Sequence, residues 1–156
     1  MTLLRRQRAF TLIELLVVIA VLAIMAALAA PGMTQLVAGQ RLKSAATDLH
    51  LTLMKARGEA IKRNADVTVS PTDGSWENGW SVADPGNPGV PVEVRGPTAS
   101  VSVTTTATSV VYRGTGRTTT ATAGASFVFS SPGTDATRCL SLDPSGKPYV
   151  KEGAAC

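Results

Sequence analysis

Few side chains in this sequence have the types and spacing that chemistry requires. The stretch RAFTLIELLVVIAVLAIMAALAAP, residues 8–31, is a greasy run from Phe10 to Ala30 with one charge in it, the carboxylate of Glu14. A carboxylate inside a bilayer span costs about 2.5–3.5 kcal/mol on insertion scales and is retained where it faces a partner rather than lipid. Cys139 and Cys156, the two cysteines, both lie in the last eighteen residues. Late cations (Arg113, Arg117, Arg138, Lys147 and Lys151) carry the charge that a phosphate backbone attracts. Trp76 and Trp80 flank Asn78-Gly79, a tight-turn dipeptide.

Catalysis needs a convergent set of groups, and the sequence has none. His50 is the sole histidine, so neither a Ser-His-Asp set of plausible order nor a histidine-based metal site can be assembled. There is no GxxxxGK[ST] loop and no GxGxxG before a helix. The acidic residues of the second half stand singly in turns. The chain reads as a non-enzyme that needs no cofactor or metal, with His50 a helix-surface or helix–sheet boundary residue.

The formal charge of +4 invites a nucleic-acid reading, but its distribution does not. Arg5, Arg6 and Arg8 all precede the apolar run, where they act as a positive-inside topology signal. From residue 64 onward six basic side chains face eight acidic ones. After residue 110 the balance is five basic to three acidic, enough for a modest patch that includes Arg113, Arg117 and Arg138. A solvated polar face and a phosphate-binding face are both compatible with that count.

These residues must be positioned by few elements. Residues 1–9 are short and basic; the run of about 20 apolar residues behind them is long enough to span a bilayer as a helix. The positive-inside rule places everything after Pro31 outside the cytoplasm. Beyond Pro31, Leu42, Ala45, Ala46, Leu49, Leu53, Ala56, Ala60 and Ile61 recur at three- and four-residue steps, one stripe of a helix. A helix from Thr11 to Arg63 would be about 80 Å long. From Asn64 the pattern changes to short β-type runs: DVTVS, GWSVAD, VEVR, ASVSV, TSVVYR, SFVFS, RCLSLD and KPYVK, parted by turn clusters such as TDGSWENG. The Thr-rich region from Thr98 to Ala125 fits either sheet or loop. The expected architecture is α+β, a long N-terminal helix packed against a C-terminal antiparallel β domain. Trp76 and Trp80 are expected to flank a hairpin at Asn78-Gly79 and pack on the helix; contact with a partner subunit or a base is the other reading.

Behind a membrane-targeting segment, Cys139 and Cys156 read as a disulfide that pins the C-terminal tail. Its loop gives about 3 kcal/mol of stabilisation in the chain-entropy model. Two free thiols or a redox pair are the alternatives.

The segment from Arg8 to Pro31 resembles the N-terminus of type IV pilins and type II secretion pseudopilins: a basic leader, a small residue that is usually Gly, F-T-L-I-E-L, an apolar helix and a closing Pro. Further along, RLKSAATDLHLTLMKARGEAIKRN, SWENGW, YRGTGR and CLSLDPSGKPYV resemble the GspH/FimT family. That family groups pseudopilin H with minor type IV pilins of the FimU and FimT kind; the A-R-x-E-A-I-K-R-N signature, here Ala56 to Asn64, is its most recognisable soluble feature.

The resemblance implies a pilin-like fold with four parts: a prepilin leader (1–9), a transmembrane and filament-core helix (10–31), its amphipathic continuation (32–63) and a periplasmic β-rich domain (64–156). It implies that prepilin peptidase cuts between Ala9 and Phe10 and methylates the Phe10 amine, with Ala9 departing from the usual Gly. Glu14 then neutralises that amine, in its own chain or a neighbour, and Glu14 and Pro31 serve filament assembly. The implied partners are other pilins or pseudopilins, prepilin peptidase and the bacterial inner membrane, the chain being single-pass before it enters a pilus or pseudopilus. The implied role is a minor subunit that helps initiate or cap the filament. The alternative is DNA binding in uptake, which FimT-type members perform through a basic G-R-x-R motif. The matching place here reads Gly146-Lys147-Pro148-Tyr149-Val150-Lys151. No arginine follows Lys147, and lysine lacks arginine's planar fork for phosphate.

Overall fold

The computed structural model describes residues 10–119 and 123–156, with residues 29–31 described by backbone alone. The expected leader, with Arg5, Arg6, Arg8 and Ala9, lies outside the described residues. The chain divides into two compact units, one ending at Gln35 and one running from Leu36 to Cys156.

Helix α1 spans Leu12–Arg63, 52 residues. Its start is capped by Thr11, whose Oγ1 accepts the backbone N–H of Glu14 at 3.3 Å. Threonine at the cap with glutamate three residues on is the capping-box pattern, and a carboxylate in the first turn suits the helix dipole. The helix stops at Asn64, whose φ of 49° is left-handed. Asn64 N–H donates to Ile61 O and Ala65 N–H to Ala60 O, the paired bonds of a Schellman motif.

Within the unit from Leu36, the expected stripe is buried: Leu42, Ala45, Ala46, Leu49, Leu53, Ala56 and Ala60 are all at most 5% exposed. Ile61 is the exception at 53%. It lies one residue past Ala60, about 100° further round the helix, and so falls on the outer face.

Eight strands follow: β1 Val67–Thr72, β2 Ser75–Val82, β3 Glu93–Arg95, β4 Ser102–Thr105, β5 Val110–Tyr112, β6 Ser126–Ser130, β7 Arg138–Leu142 and β8 Pro148–Glu152. They form two antiparallel sheets, ordered β3-β2-β1-β5 and β4-β6-β7-β8. Alternation turns Val67 and Val69 of β1, Val110 and Tyr112 of β5, and Phe127 and Phe129 of β6 into one core with the helix leucines. Burial raises the Tyr112 phenol well above its ordinary pKa. The Thr-rich region resolves into β4, β5 and turns, with residues 120–122 outside the described set.

The tryptophans correct the expected hairpin. Both sit on β2, buried, with ring centroids 6.4 Å apart. The hairpin turn is Asp73-Gly74, where φ is positive at both residues. Pairing runs from Thr72↔Ser75 to Pro71↔Trp80, so Trp76 to Gly79 are an excursion within β2. Gly79 serves close approach rather than strand reversal: a Cβ there would meet Arg95 O at 2.1 Å. Packing on the helix does occur, since Trp80 Nε1 donates to Thr52 Oγ1 at 3.1 Å. Trp76 Nε1 donates to Ala107 O, and its ring stands edge-on to Phe127.

A disulfide joins Cys139 to Cys156, with Cα atoms 5.6 Å apart, and holds the tail to β7. Edge strand β3 is tied to α1 by ion pairs, Arg95–Asp48 at 3.0 Å and Glu93–Lys55 at 2.8 Å.

Candidate assembly helix and nucleic-acid interface

Two places carry the sequence candidates. The first is the beginning of α1. Every large apolar side chain from Phe10 to Leu28 is exposed, Phe10 at 75%. Leaving such side chains in water forfeits about 1.5–3 kcal/mol each, so this surface requires a non-aqueous covering. No single helix among the described residues is both long and apolar enough to cross a membrane; Leu12–Leu28 and Gly32–Arg63 together pass by length and composition. Glu14 stands in this apolar surface with its backbone N–H on Thr11. Pro31 lies within the helical backbone, and its side chain is outside the described set. Thr11 was not legible as a candidate from hydropathy, although the T-x-x-E spacing signals it.

The second place is the late cations, which the structure separates. Arg113 and Arg117 close a turn after β5, where Arg113 N–H donates to Arg117 O at 2.9 Å. Lys147 closes the β7–β8 turn: its N–H donates to Asp143 Oδ1 at 2.9 Å and Asp143 N–H donates to Lys147 O. The two turns touch, because a Cβ on Gly146 would meet Gly116 O at 2.6 Å. Arg113, Arg117, Thr118 and Pro144 line a hollow of about 320 Å³ between them. Arg57 of α1 joins this end by donating from Nε to Gly116 O at 2.9 Å. Hydrogen bonds from Ser145 and from the Lys147 N–H hold the Asp143 carboxyl below its ordinary pKa, so one anion sits among these cations.

Arg138 and Lys151 lie at the other end of the same hairpin. Four residues of strand, about 14 Å at ~3.4 Å each, separate Arg138 from the Leu142↔Pro148 pair beside the turn. Arg138 is committed to Glu152 at 2.7 Å, and Lys151 lies 5.3 Å from the Tyr149 ring centre. The five candidates therefore do not form one patch. Sequence reasoning missed Arg57 as a neighbour of Arg113 and Arg117, since it lies over fifty residues away in the chain.

The Ala56–Asn64 signature has a structural role at six of its nine positions. Ala56 and Ala60 are buried, Arg57 holds the Gly116 turn, Arg63 bridges Glu59 and Asp84, and Asn64 ends the helix. The Arg63 hydrogen bond lowers the Glu59 pKa. His50 is half-buried on α1. Among the described residues no group of three or more His, Cys, Asp or Glu is placed to hold a metal.

Residues 45–146 match the family model described as type II transport protein GspH, and residues 4–30 match the prokaryotic N-terminal methylation motif. Two crystal forms of the type IV minor pilin FimU from Pseudomonas aeruginosa (strain PAO1) share the fold. One aligns at 20% identity and a TM-score of 0.63, covering 75% of this chain and 96% of FimU. The other aligns at 22% identity and a TM-score of 0.61, covering 74% and 99%. No curated protein matches the sequence.

Proposed function

Because the chain belongs to the GspH family and carries the N-terminal methylation motif, we propose that it is a minor pilin or pseudopilin that helps initiate or cap a type IV pilus or type II secretion pseudopilus. The observation that carries this reading is the exposed apolar surface of α1 from Phe10 to Leu28, interrupted only by Glu14. Before assembly that surface lies in the inner membrane, with Arg5, Arg6 and Arg8 in the cytoplasm and the β domain in the periplasm. Prepilin peptidase hydrolyses the Ala9–Phe10 bond, which frees the Phe10 amine for methylation. A carboxylate facing lipid is costly; beside the Phe10 amine, in its own chain or a neighbouring helix, Glu14 gains a counter-charge, and the bundled helices of a filament supply such amines. Assembly thus relieves the cost of the carboxylate and favours transfer from bilayer to filament. Mass spectrometry of the protein extracted from membranes should find a chain that begins at methylated Phe10. A chain that keeps Met1 in cells with active peptidase would overturn the reading.

A second reading, DNA binding at the pilus, is supported by the adjoining turns that bear Arg113, Arg117 and Lys147. The full chain in detergent micelles, titrated with duplex DNA over a salt series, tests it. Phosphate contacts give a log–log slope of about −0.9 per contact. Arg113→Ala with Arg117→Ala should flatten it, whereas Arg138→Ala should not. No binding at low salt removes this reading and leaves the first intact.

A further inference from the structure

A cleft of about 320 Å³ opens where α1 meets the connection from β3 to β4. Arg41, Ser44, Ala45 and Asp48 form its helix wall, and the chain from Gly96 to Ala99 faces them. Buried Trp80 and Val101 make the floor. The facing wall is held by the protein itself: Thr98 N–H donates to Glu77 O at 2.9 Å, and Ser131 Oγ donates to Ser100 O at 2.7 Å. Arg95 is held too, since its Nη2 donates to Asp48 Oδ1 at 3.0 Å and its Nε lies 3.6 Å from Glu93 Oε1. Glu93 also binds Lys55 at 2.8 Å, so both acids of this corner are engaged. Arg41 is exposed and, among the described residues, joins no ion pair. Arg41, Lys55 and Arg95 against Asp48 and Glu93 leave one positive charge, and Arg41 carries it.

The same helix face is apolar one turn earlier. Val37 precedes Arg41 by four residues, and Ala45 and Asp48 follow at steps of four and three, so all share one side. Val37 is 44% exposed and Leu36 beside it 70%. Apolar side chains followed by an unpaired cation match the passage from acyl chains to headgroups at a bilayer surface. We propose that the cleft seats the headgroup of an anionic phospholipid, an inference that rests on the membrane-embedded state described above. Arg41 presents its planar fork to two phosphate oxygens, and Ser44 Oγ adds a donor. The carbon skeleton of the headgroup lies toward the apolar floor, and the acyl chains cover Leu36 and Val37. A soluble phosphate ester would satisfy Arg41 but leave those two side chains in water, which favours the lipid. Bound in this way, the lipid ties the β domain to the bilayer surface until the subunit leaves it.

The test uses the full chain, processed in cells and reconstituted in vesicles of equal parts phosphatidylglycerol and phosphatidylcholine. One lipid at a time carries a photo-reactive group near its headgroup, and adducts are mapped by peptide mass. Phosphatidylglycerol should label residues 41–48 and 96–101 with a yield about fivefold that of phosphatidylcholine. That factor corresponds to about 1 kcal/mol, the attraction of one basic side chain to an anionic surface. Arg41→Ala should remove the preference without shifting domain melting, and Arg41→Lys should restore part of it. Lys62→Ala, in the last turn of α1, should leave it unchanged. Equal yields from the two lipids, adducts confined to residues 12–37, or full labelling in Arg41→Ala would overturn the proposal. Loss of the adducts to excess glycerol phosphate would also overturn it, by making a soluble phosphate the occupant. Flotation of the vesicles separates the two levels of inference. A chain that floats without a cleft adduct defeats the cleft alone, whereas one that does not float defeats the membrane-embedded reading with it.

Discussion

The two ends of α1 use the same residues for opposite ends. From Phe10 to Leu28, leucine, isoleucine and valine occupy every side of the helix and all are exposed. From Ala38 to Ala60, every leucine and alanine but Leu51 keeps to one side and is buried. A helix apolar all round does not select a face, so its covering is chosen by what surrounds it, lipid or other helices. A helix with a narrow stripe of small residues fixes which sheet lies on it and how near. Persistence in one environment therefore belongs to the second region, and exchange between environments to the first.

That contrast can be broken most strongly in the buried stripe. Leu49→Ala, at a fully buried site, should cost about 2–5 kcal/mol of unfolding free energy in denaturant titration of the full chain; Leu16→Ala should leave the β-domain transition unmoved. Cys156→Ser comes next: loss of the Cys139–Cys156 link should cost about 3 kcal/mol, read by the same titration. At the helix end, Asn64→Ala should cost about 1 kcal/mol because its φ is left-handed, whereas Asn64→Gly should be near neutral in thermal melting. The smallest effect is pH-linked. The Glu59 and Asp143 pKa values are lowered in the folded chain, so their contribution is present above the unfolded carboxylate range and is lost as pH falls through the folded values. Melting temperature should decline below about pH 4, and Asp143→Asn should make that decline shallower.

Much of this fold is readable in the sequence because its periods are local. The α1 stripe follows from three- and four-residue steps, and the strands from alternation bounded by turn residues. Distance along the chain hid the rest. Asn78-Gly79 has the chemistry of a hairpin turn, yet Asp73-Gly74 takes that role; Gly79 instead passes close to the backbone of β3, where a Cβ would stand 2.1 Å from Arg95 O. The cations read as one patch because their spacing in sequence is short. The β7–β8 register places Arg138 beside Glu152 and Lys147 at the opposite end. Arg57 joins Arg113 and Arg117 only through packing of the helix on the Gly116 turn. Glu14 was legible as an intruder in lipid, while its backbone bond to Thr11 gives it a second role at the helix start.

Strand β8 forms one edge of its sheet, and four of its five residues are exposed. An edge strand of that kind has a partner on one side alone and ordinarily opens from its margin. Here Cys156, four residues beyond the strand, is bonded to Cys139 on the neighbouring strand. The cross-link thus acts as a clasp: β8 cannot drift from β7 even when the hydrogen bonds between them open for a moment.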